Sequence, residues 1–547
     1  MESLKQADGV AGLKQYDIRV STIVFMIYCL VAAGAFGIEE MIPSTGPGLT
    51  ITMLVAFMIL WALPISNMVA ELGSILPAEG GPYVWVREAL GEFWGFQAGW
   101  WATMSIYVTN GVYVALVAGY LGNFIELSPF ESFLVKIVMI LFFSIINLLG
   151  IREVGRLSTI FSVIVLISFT VVAAVGLMNW NYDPFVPFIP EGQGVIESIG
   201  GGISICIWMY CGYECISSVA GEIKDPQVIP KGLLIAMPLI GASYVLPTLG
   251  GLVSVGQWQD WATEAGAGTV GYMDVLTRFL GPAWGIVFLA VAIISQCSIF
   301  NTYMASGSRG FFVLADDHLS PHIMVKVSKK TGVPYVGIIS LTIVTIFLTQ
   351  FDFTILVMGE VVFMIALYIL LSISTVVLRK KIPVSQRQGK YVMAGGKAGL
   401  YLFCGLPFII CIIALLINGT EYLLIGLLAI STGPLFYLLI KRRYGGLNRI
   451  DPRQHPINPV TKLAVGDTAR LAVYCFIIGV FAVVGSFFLI WYEGDGGPEY
   501  YLEEYGDRFI GNFDAMISAL QYGGAAAAVF GIGLILYSRR IEPAEKL

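Results

Sequence analysis

A chain of 547 residues that is 57 % hydrophobic and only 12 % charged carries about half the charge of a soluble domain, so water is not its solvent. The formal net charge of −6 provides no basic footprint for nucleic acid, and the lipid bilayer is the expected partner. The eight cysteines all lie in apolar segments without a metal-type spacing to histidine. They read as buried thiols acting as small hydrophobes, and neither a metal nor a cofactor is expected.

Residues 1–18 form a short polar segment. The apolar run from Ser21 to Ile42 is too long for a signal-peptide core, lacks a cleavage pattern and is followed by further apolar runs, so it is expected to be retained. Fourteen runs are long enough to cross roughly 30 Å of hydrocarbon. They fall at 19–42, 50–73, 94–122, 131–150, 156–178, 195–220, 231–255, 281–306, 335–350, 353–378, 399–417, 421–440, 470–492 and 513–538, and are numbered here as spans one to fourteen. Spans nine and ten nearly fuse at Gln350-Phe351-Asp352. With the N-terminus in the cytoplasm and alternating sides, 28 of the 31 Lys and Arg residues fall on the cytoplasmic side. This asymmetry is the positive-inside rule, and it predicts about 14 spans with both termini cytoplasmic, in a plasma or inner membrane.

An odd number of spans per repeat starts the second copy from the opposite face. Spans one to five and six to ten form such a pair. Their first helices share a feature: Gly34-Ala35-Phe36-Gly37 precedes Glu39 and Glu40 in span one, and Tyr210-Cys211-Gly212-Tyr213-Glu214 lies in span six. Glycine interruptions at matching places in two halves mark the binding site of a transporter. Unwound backbone is tolerated at membrane depth only beside a ligand, a wet cavity or protein. The alternative for any glycine is close helix packing, and Gly91, Gly95 and Gly99 fit that reading. A charge at the bilayer centre costs about 2.5–3.5 kcal/mol, so Glu39, Glu40, Glu214 and Glu360 are expected to face away from lipid, Glu40 alternatively lying solvated nearer the outer surface. Lys and Arg are scarce within the spans, which favours a cationic substrate or protons as the counter-charge. An amino acid would place its carboxylate on free N–H groups at a helix N-terminus, and a nearby Glu39 disfavours that.

Several stretches resemble the amino acid–polyamine–organocation superfamily. They are Glu71 to Pro77, Gly80-Gly81-Pro82-Tyr83 and Gly91 to Trp100 from the end of span two into span three, then Gly221 to Lys231 after span six. Ser308 with Asp316-Asp317, Thr331 to Pro334 and Leu378 to Pro383 add to it, and the match runs over roughly residues 20–440. The resemblance implies an all-α membrane protein with a five-plus-five inverted-repeat (LeuT-like) core and extra C-terminal transmembrane helices. The run Gly34 to Glu40, with Asn110, Tyr113 and the Gly212-Tyr213-Glu214 triplet, looks most like the polyamine-transporter branch, whose members take up polyamines with protons. Two features depart from it. Val165 stands where many proton-coupled relatives have lysine, and Gly389-Lys390-Tyr391 replaces an Arg-Pro-Tyr stretch.

The implied organisation is 1–18 cytoplasmic, 19–193 first repeat, 194–383 second repeat, 384–440 spans eleven and twelve, and 441–547 a basic loop with spans thirteen and fourteen. The candidate substrate site comprises Gly34, Ala35, Phe36, Gly37, Glu39, Asn110, Tyr113, Tyr210, Cys211, Gly212, Tyr213, Glu214, Asn301 and Glu360, with Glu39 and Glu214 for coupling. The function expected is secondary active transport, as a proton-coupled symporter, of polyamines or another cationic amine; sodium coupling stays open, and the sequence does not fix the oligomeric state. An amino acid permease or exchanger of the same superfamily and a non-transporting sensor or scaffold are the alternatives. No catalytic set is apparent: His318, His322 and His455 all lie in loops. The GxGxxG match at Gly266–Gly271 lacks a βαβ context and reads as a loop.

Overall fold

The computed structural model describes residues 16–32, 34–78, 80–122, 125–225, 227–261, 271–351, 353–387 and 389–541. All of the GxGxxG run except its final Gly271 lies outside the described residues. Among these residues the regular structure is helical, with two isolated bridges, Tyr16 to Ile223 and Ile457 to Ala464. A helix satisfies its own backbone polar groups, which is what hydrocarbon demands. Twelve helices are long and apolar enough to cross a membrane, and two shorter apolar helices, Val20–Val31 and Tyr335–Leu348, accompany them. The fourteen expected spans thus appear as twelve of full length, the interrupted span six among them, and two short ones. Span one is short because it is interrupted: Val20–Val31 ends and the chain resumes as Ile38–Met41 and Ile42–Thr45. Span six breaks likewise between Val195–Met209 and Tyr213–Glu222. Spans nine and ten separate where expected, at Leu348 and Phe353.

Burial sorts the spans. Span ten (Phe353–Lys381) and span three (Glu92–Gly122) are buried over 78 % and 72 % of their most apolar stretch, against 33 % and 17 % for spans thirteen (Asp467–Glu493) and fourteen (Phe513–Ile541). Spans three and ten therefore sit at the centre of the bundle and the last two at its edge. The last two pair closely through small residues: a Cβ on Gly479 or Gly531 would strike the backbone of the facing helix, the packing expected where lipid offers no hydrophobic drive.

One end of the bundle is basic. There Glu71 accepts from Arg387 (3.0 Å) and Arg379 (3.2 Å) and from the Met393 N–H (2.9 Å), which straps the chain after span ten under span two. Arg87 pairs with Asp317, and Lys441 with Glu92 at 2.5 Å. The Tyr437 hydroxyl joins Glu92 to Asp467 of span thirteen. The opposite end is acidic. There Tyr501, from the segment between spans thirteen and fourteen, ties span twelve to span thirteen, its hydroxyl meeting both Glu421 and Glu493.

Candidate functional site

The two breaks meet at the centre. Gly37 and Gly212 sit at φ +93° and +97°, a conformation open to glycine and strained for any residue with a Cβ. Space enforces the same choice: a Cβ on Gly37 would lie 2.7 Å from the Trp208 ring, and one on Gly212 would meet the Tyr303 hydroxyl at 2.5 Å. Each left-handed glycine re-aims the chain so that its amide points at the acid two residues on. In span one the Gly37 N–H donates to Glu39 Oε2 at 2.9 Å. In span six the Gly212 N–H donates to the Tyr368 hydroxyl at 3.2 Å, and that hydroxyl donates to Glu214 Oε2 at 2.7 Å. The Cys215 thiol also reaches Glu214, at 3.5 Å.

Interrupted helices leave carbonyls without intrahelical partners. Tyr244 of span seven (Val228–Ser254) places its hydroxyl 2.8 Å from Val31 O and 2.7 Å from Met209 O, the last carbonyls of the two first half-helices. Tyr210 O accepts from Trp61 Nε1 at 3.2 Å. Trp61 reaches it from a π-helical turn, Met58–Ala62, which precedes Pro64. A proline lacks the N–H of the regular ladder and its ring crowds the carbonyl four residues back, and π-turns resolve such crowding inside helices.

Glu360 of span ten is buried, 1 % exposed. Thr109, Trp208 and the Cys211 thiol face its carboxylate, the thiol at 3.9 Å. Glu39 and Glu214 are buried too, at 6 % and 2 %. Among the described residues no Lys or Arg pairs with any of the three. Between the breaks lies a void about the size of one water molecule, lined by Val31, Ala32, Phe36, Tyr113, Trp208, Met209, Gln296 and Ile299. The rings of Tyr120, Phe169 and Phe288 pack on Phe36 at 4.8–5.6 Å between centroids. Tyr113 lies between Trp208 and Tyr303.

Most of the expected residues gather here, with exceptions. Asn301 belongs to another face of span eight (Pro282–Gly307): its Oδ1 accepts from Asn147 of span four at 3.0 Å. Gln296, Ile299 and Tyr303, at the i, i+3, i+7 spacing of one helix face, face the breaks instead. Tyr210 pins span six to span two through its hydroxyl, 3.0 Å from Leu54 O. Asn110 is buried and bonds back to Ile106 O at 2.8 Å. Val165 packs beside the first break, 3.0 Å from where a Gly34 Cβ would stand, so an apolar residue fills the place of the lysine. Sequence reading missed Trp61, Thr109, Trp208, Tyr244, Gln296, Tyr303 and Tyr368. For Trp61 a signal existed, the proline three residues on; for span eight, the helical periodicity of polar residues.

Two interrupted helices, related between two five-span halves and meeting at one buried site, define a membrane transporter of the inverted-repeat class. The crystal structure of MhsT in complex with L-phenylalanine has the same fold, with a TM-score of 0.50 at 14 % identity over 78 % of this chain and 99 % of that one. The sequence model of the amino acid permease family matches residues 18–439, and the chain belongs to that family, within the amino acid–polyamine–organocation superfamily. Relatives include polyamine transporter RMV1 of Arabidopsis thaliana, 27 % identical over 76 % of this chain and 84 % of that protein. Polyamine transporter PUT1 of Oryza sativa subsp. japonica is 28 % identical over 62 % of each chain. The branched-chain amino acid permease BcaP of Bacillus subtilis is 24 % identical over 77 % of this chain and 90 % of that one. The match ends with span twelve, so spans thirteen and fourteen lie outside the family core.

Proposed function

We propose that the protein is a proton-coupled carrier of cationic amines, with di- and polyamines as the preferred class. The observation that carries this reading is the charge of the site: three buried carboxylates, Glu39, Glu214 and Glu360, with no Lys or Arg partner among the described residues. Ionised carboxylates at membrane depth need a compensating charge. Ammonium groups of a substrate supply it, and protons supply it when the substrate is gone. Alternation between these two occupants is proton-coupled transport. The polyamine transporters among the relatives support the substrate class. The basic end of the bundle is assigned to the cytoplasm with both termini, as the 28-of-31 asymmetry indicates, and residues 19–193 and 194–383 are taken as the two repeats.

Aromatic rings around the breaks suit the same cargo, since a ring face attracts a desolvated cation by about 0.5–2 kcal/mol. The void between the breaks is too small for a diamine, so loading requires the spans to part. Uptake of radiolabelled putrescine and spermidine into proteoliposomes tests the reading. Accumulation driven by a proton gradient and abolished by a protonophore is expected. Accumulation of leucine but of neither amine would reject it in favour of amino acid transport, the reading that similarity to BcaP favours.

A further inference from the structure

The two unwound stretches carry the same local device. The Glu39 carboxylate takes the Gly37 N–H at 2.9 Å and faces the N–H of Glu39 itself. The Glu214 carboxylate faces the N–H groups of Gly212 and of Glu214. Neighbouring backbone N–H groups that converge on one point form a cradle for an anion. Here the chain fills both cradles with its own side chains, each from a glycine-x-glutamate run. The filling is direct in span one. In span six the Gly212 amide is shared with the Tyr368 hydroxyl.

An α-amino acid differs from the matching amine by one carboxylate. To hold that carboxylate, unwound backbone must offer N–H donors that nothing else has taken. At Gly37 the donor is occupied in either protonation state of Glu39, and when that side chain is ionised it would also repel a second carboxylate at contact range. Gly271 stands beside Glu39, 3.7 Å from its Cγ and Oε1 when measured from a built Cβ, so the pocket for an anion has walls and an occupant.

We propose that Glu39 is a specificity-determining residue: it stands in for a substrate carboxylate at the span-one break, and so denies the site to α-amino acids while leaving it open to amines. The part that concerns diamines rests on the function proposed above; the exclusion of carboxylates does not.

The test uses two matched pairs, cadaverine with L-lysine and 3-methylbutylamine with L-leucine, each differing by the carboxylate alone. Equilibrium binding is measured on the purified full-length protein in lipid nanodiscs, as wild type, Glu39→Ala and Glu39→Gln. The wild type is expected to favour the amine of each pair. Glu39→Ala should narrow that preference by about ten- to a hundredfold, the worth of a charge-assisted hydrogen bond, mainly by gaining affinity for the amino acid. Glu39→Gln keeps an oxygen for the Gly37 N–H but drops the repulsion, and should narrow the preference less. Wild-type binding of either amino acid as tight as its amine would overturn the proposal. So would an unchanged ratio in Glu39→Ala, or in Glu39→Gln if the Ala variant does not fold. A wild type that binds neither cadaverine nor lysine, yet prefers 3-methylbutylamine to leucine, would reject the diamine reading and uphold the role of Glu39.

Discussion

Glu214 and Tyr368 separate two roles that one carboxylate can play. Glu214→Gln keeps the size and removes the charge and the titratable proton. If Glu214 holds an ammonium, binding of a diamine should weaken by about ten- to a hundredfold. If it carries the proton, binding should survive while proton-driven accumulation fails and exchange persists; parallel binding and flux measurements tell the two apart. Tyr368→Phe removes the hydroxyl between the Gly212 amide and the acid but leaves the charge. Its expected effect on diamine affinity is smaller, about tenfold or less, because the carboxylate that pairs with the ammonium stays and only a hydroxyl that orients it is lost. The acids were legible because a charge inside an apolar run stands out and a glycine two residues earlier marks the break. Tyr368 was not: it contacts Glu214 from 154 positions away, and a single sequence carries no record of such pairing. Asn301 was chosen for its residue type alone, without regard to the helix face it occupies, and its Oδ1 accepts from Asn147 of span four.

At the scale of elements, span two (Pro47–Ile75) is tied to the second break twice, by the Trp61 indole on the Tyr210 carbonyl and by the Tyr210 hydroxyl on the Leu54 carbonyl. Trp61→Phe keeps one aromatic ring and deletes the N–H with the rest of the indole, leaving the buried Tyr210 carbonyl without its donor. An unsatisfied buried polar group costs about 1–3 kcal/mol, so thermal unfolding in detergent should shift downward; an unchanged midpoint would show that the bond contributes nothing. The loop between spans twelve and thirteen should answer to pH. Burial, with Lys441 and Arg87 nearby, holds the His455 imidazole below its ordinary value of 6.5, against weaker opposing pulls from Asp451 and Asp317. A histidine depressed in the folded state binds fewer protons there than when unfolded. Its contribution is therefore present above pH 6.5 and lost as the pH falls below that value. Amide exchange across 446–465, corrected for intrinsic rates, should rise on acidification in the wild type and respond less in His455→Asn. The helices themselves were legible from hydropathy to within a few residues. The π-helical turn was not foreseen, because its cause is one proline in an otherwise regular apolar run.

For the whole molecule, the topology proposed from the charge asymmetry makes a prediction at each end. A single cysteine at Glu499, in the helix Gly497–Tyr505 of the acidic end, should react with an impermeant reagent from outside intact cells. One at Ala544, beyond the described residues, should react only after permeabilisation. Labelling of both from the same side would refute the assignment. The last two spans show what a family match leaves unexplained: they bury little of themselves, yet Asp467 enters the same polar network as Glu92 and Lys441, so they are anchored to the core at the basic end by charge and hydrogen bonds.

Tyr244 has a further consequence. Its hydroxyl owns one hydrogen, and two carbonyls from different halves of the molecule, Val31 O and Met209 O, both depend on it. Were the first half-helices of spans one and six to swing apart, one carbonyl would lose its donor in the buried interior, at a cost of about 1–3 kcal/mol if nothing replaces it. The two are thus yoked, with span seven as the crossbar. Whatever rocking admits and releases the cargo, this yoke favours moving the paired breaks as one piece against the rest of the bundle, so that the pocket travels with its floor.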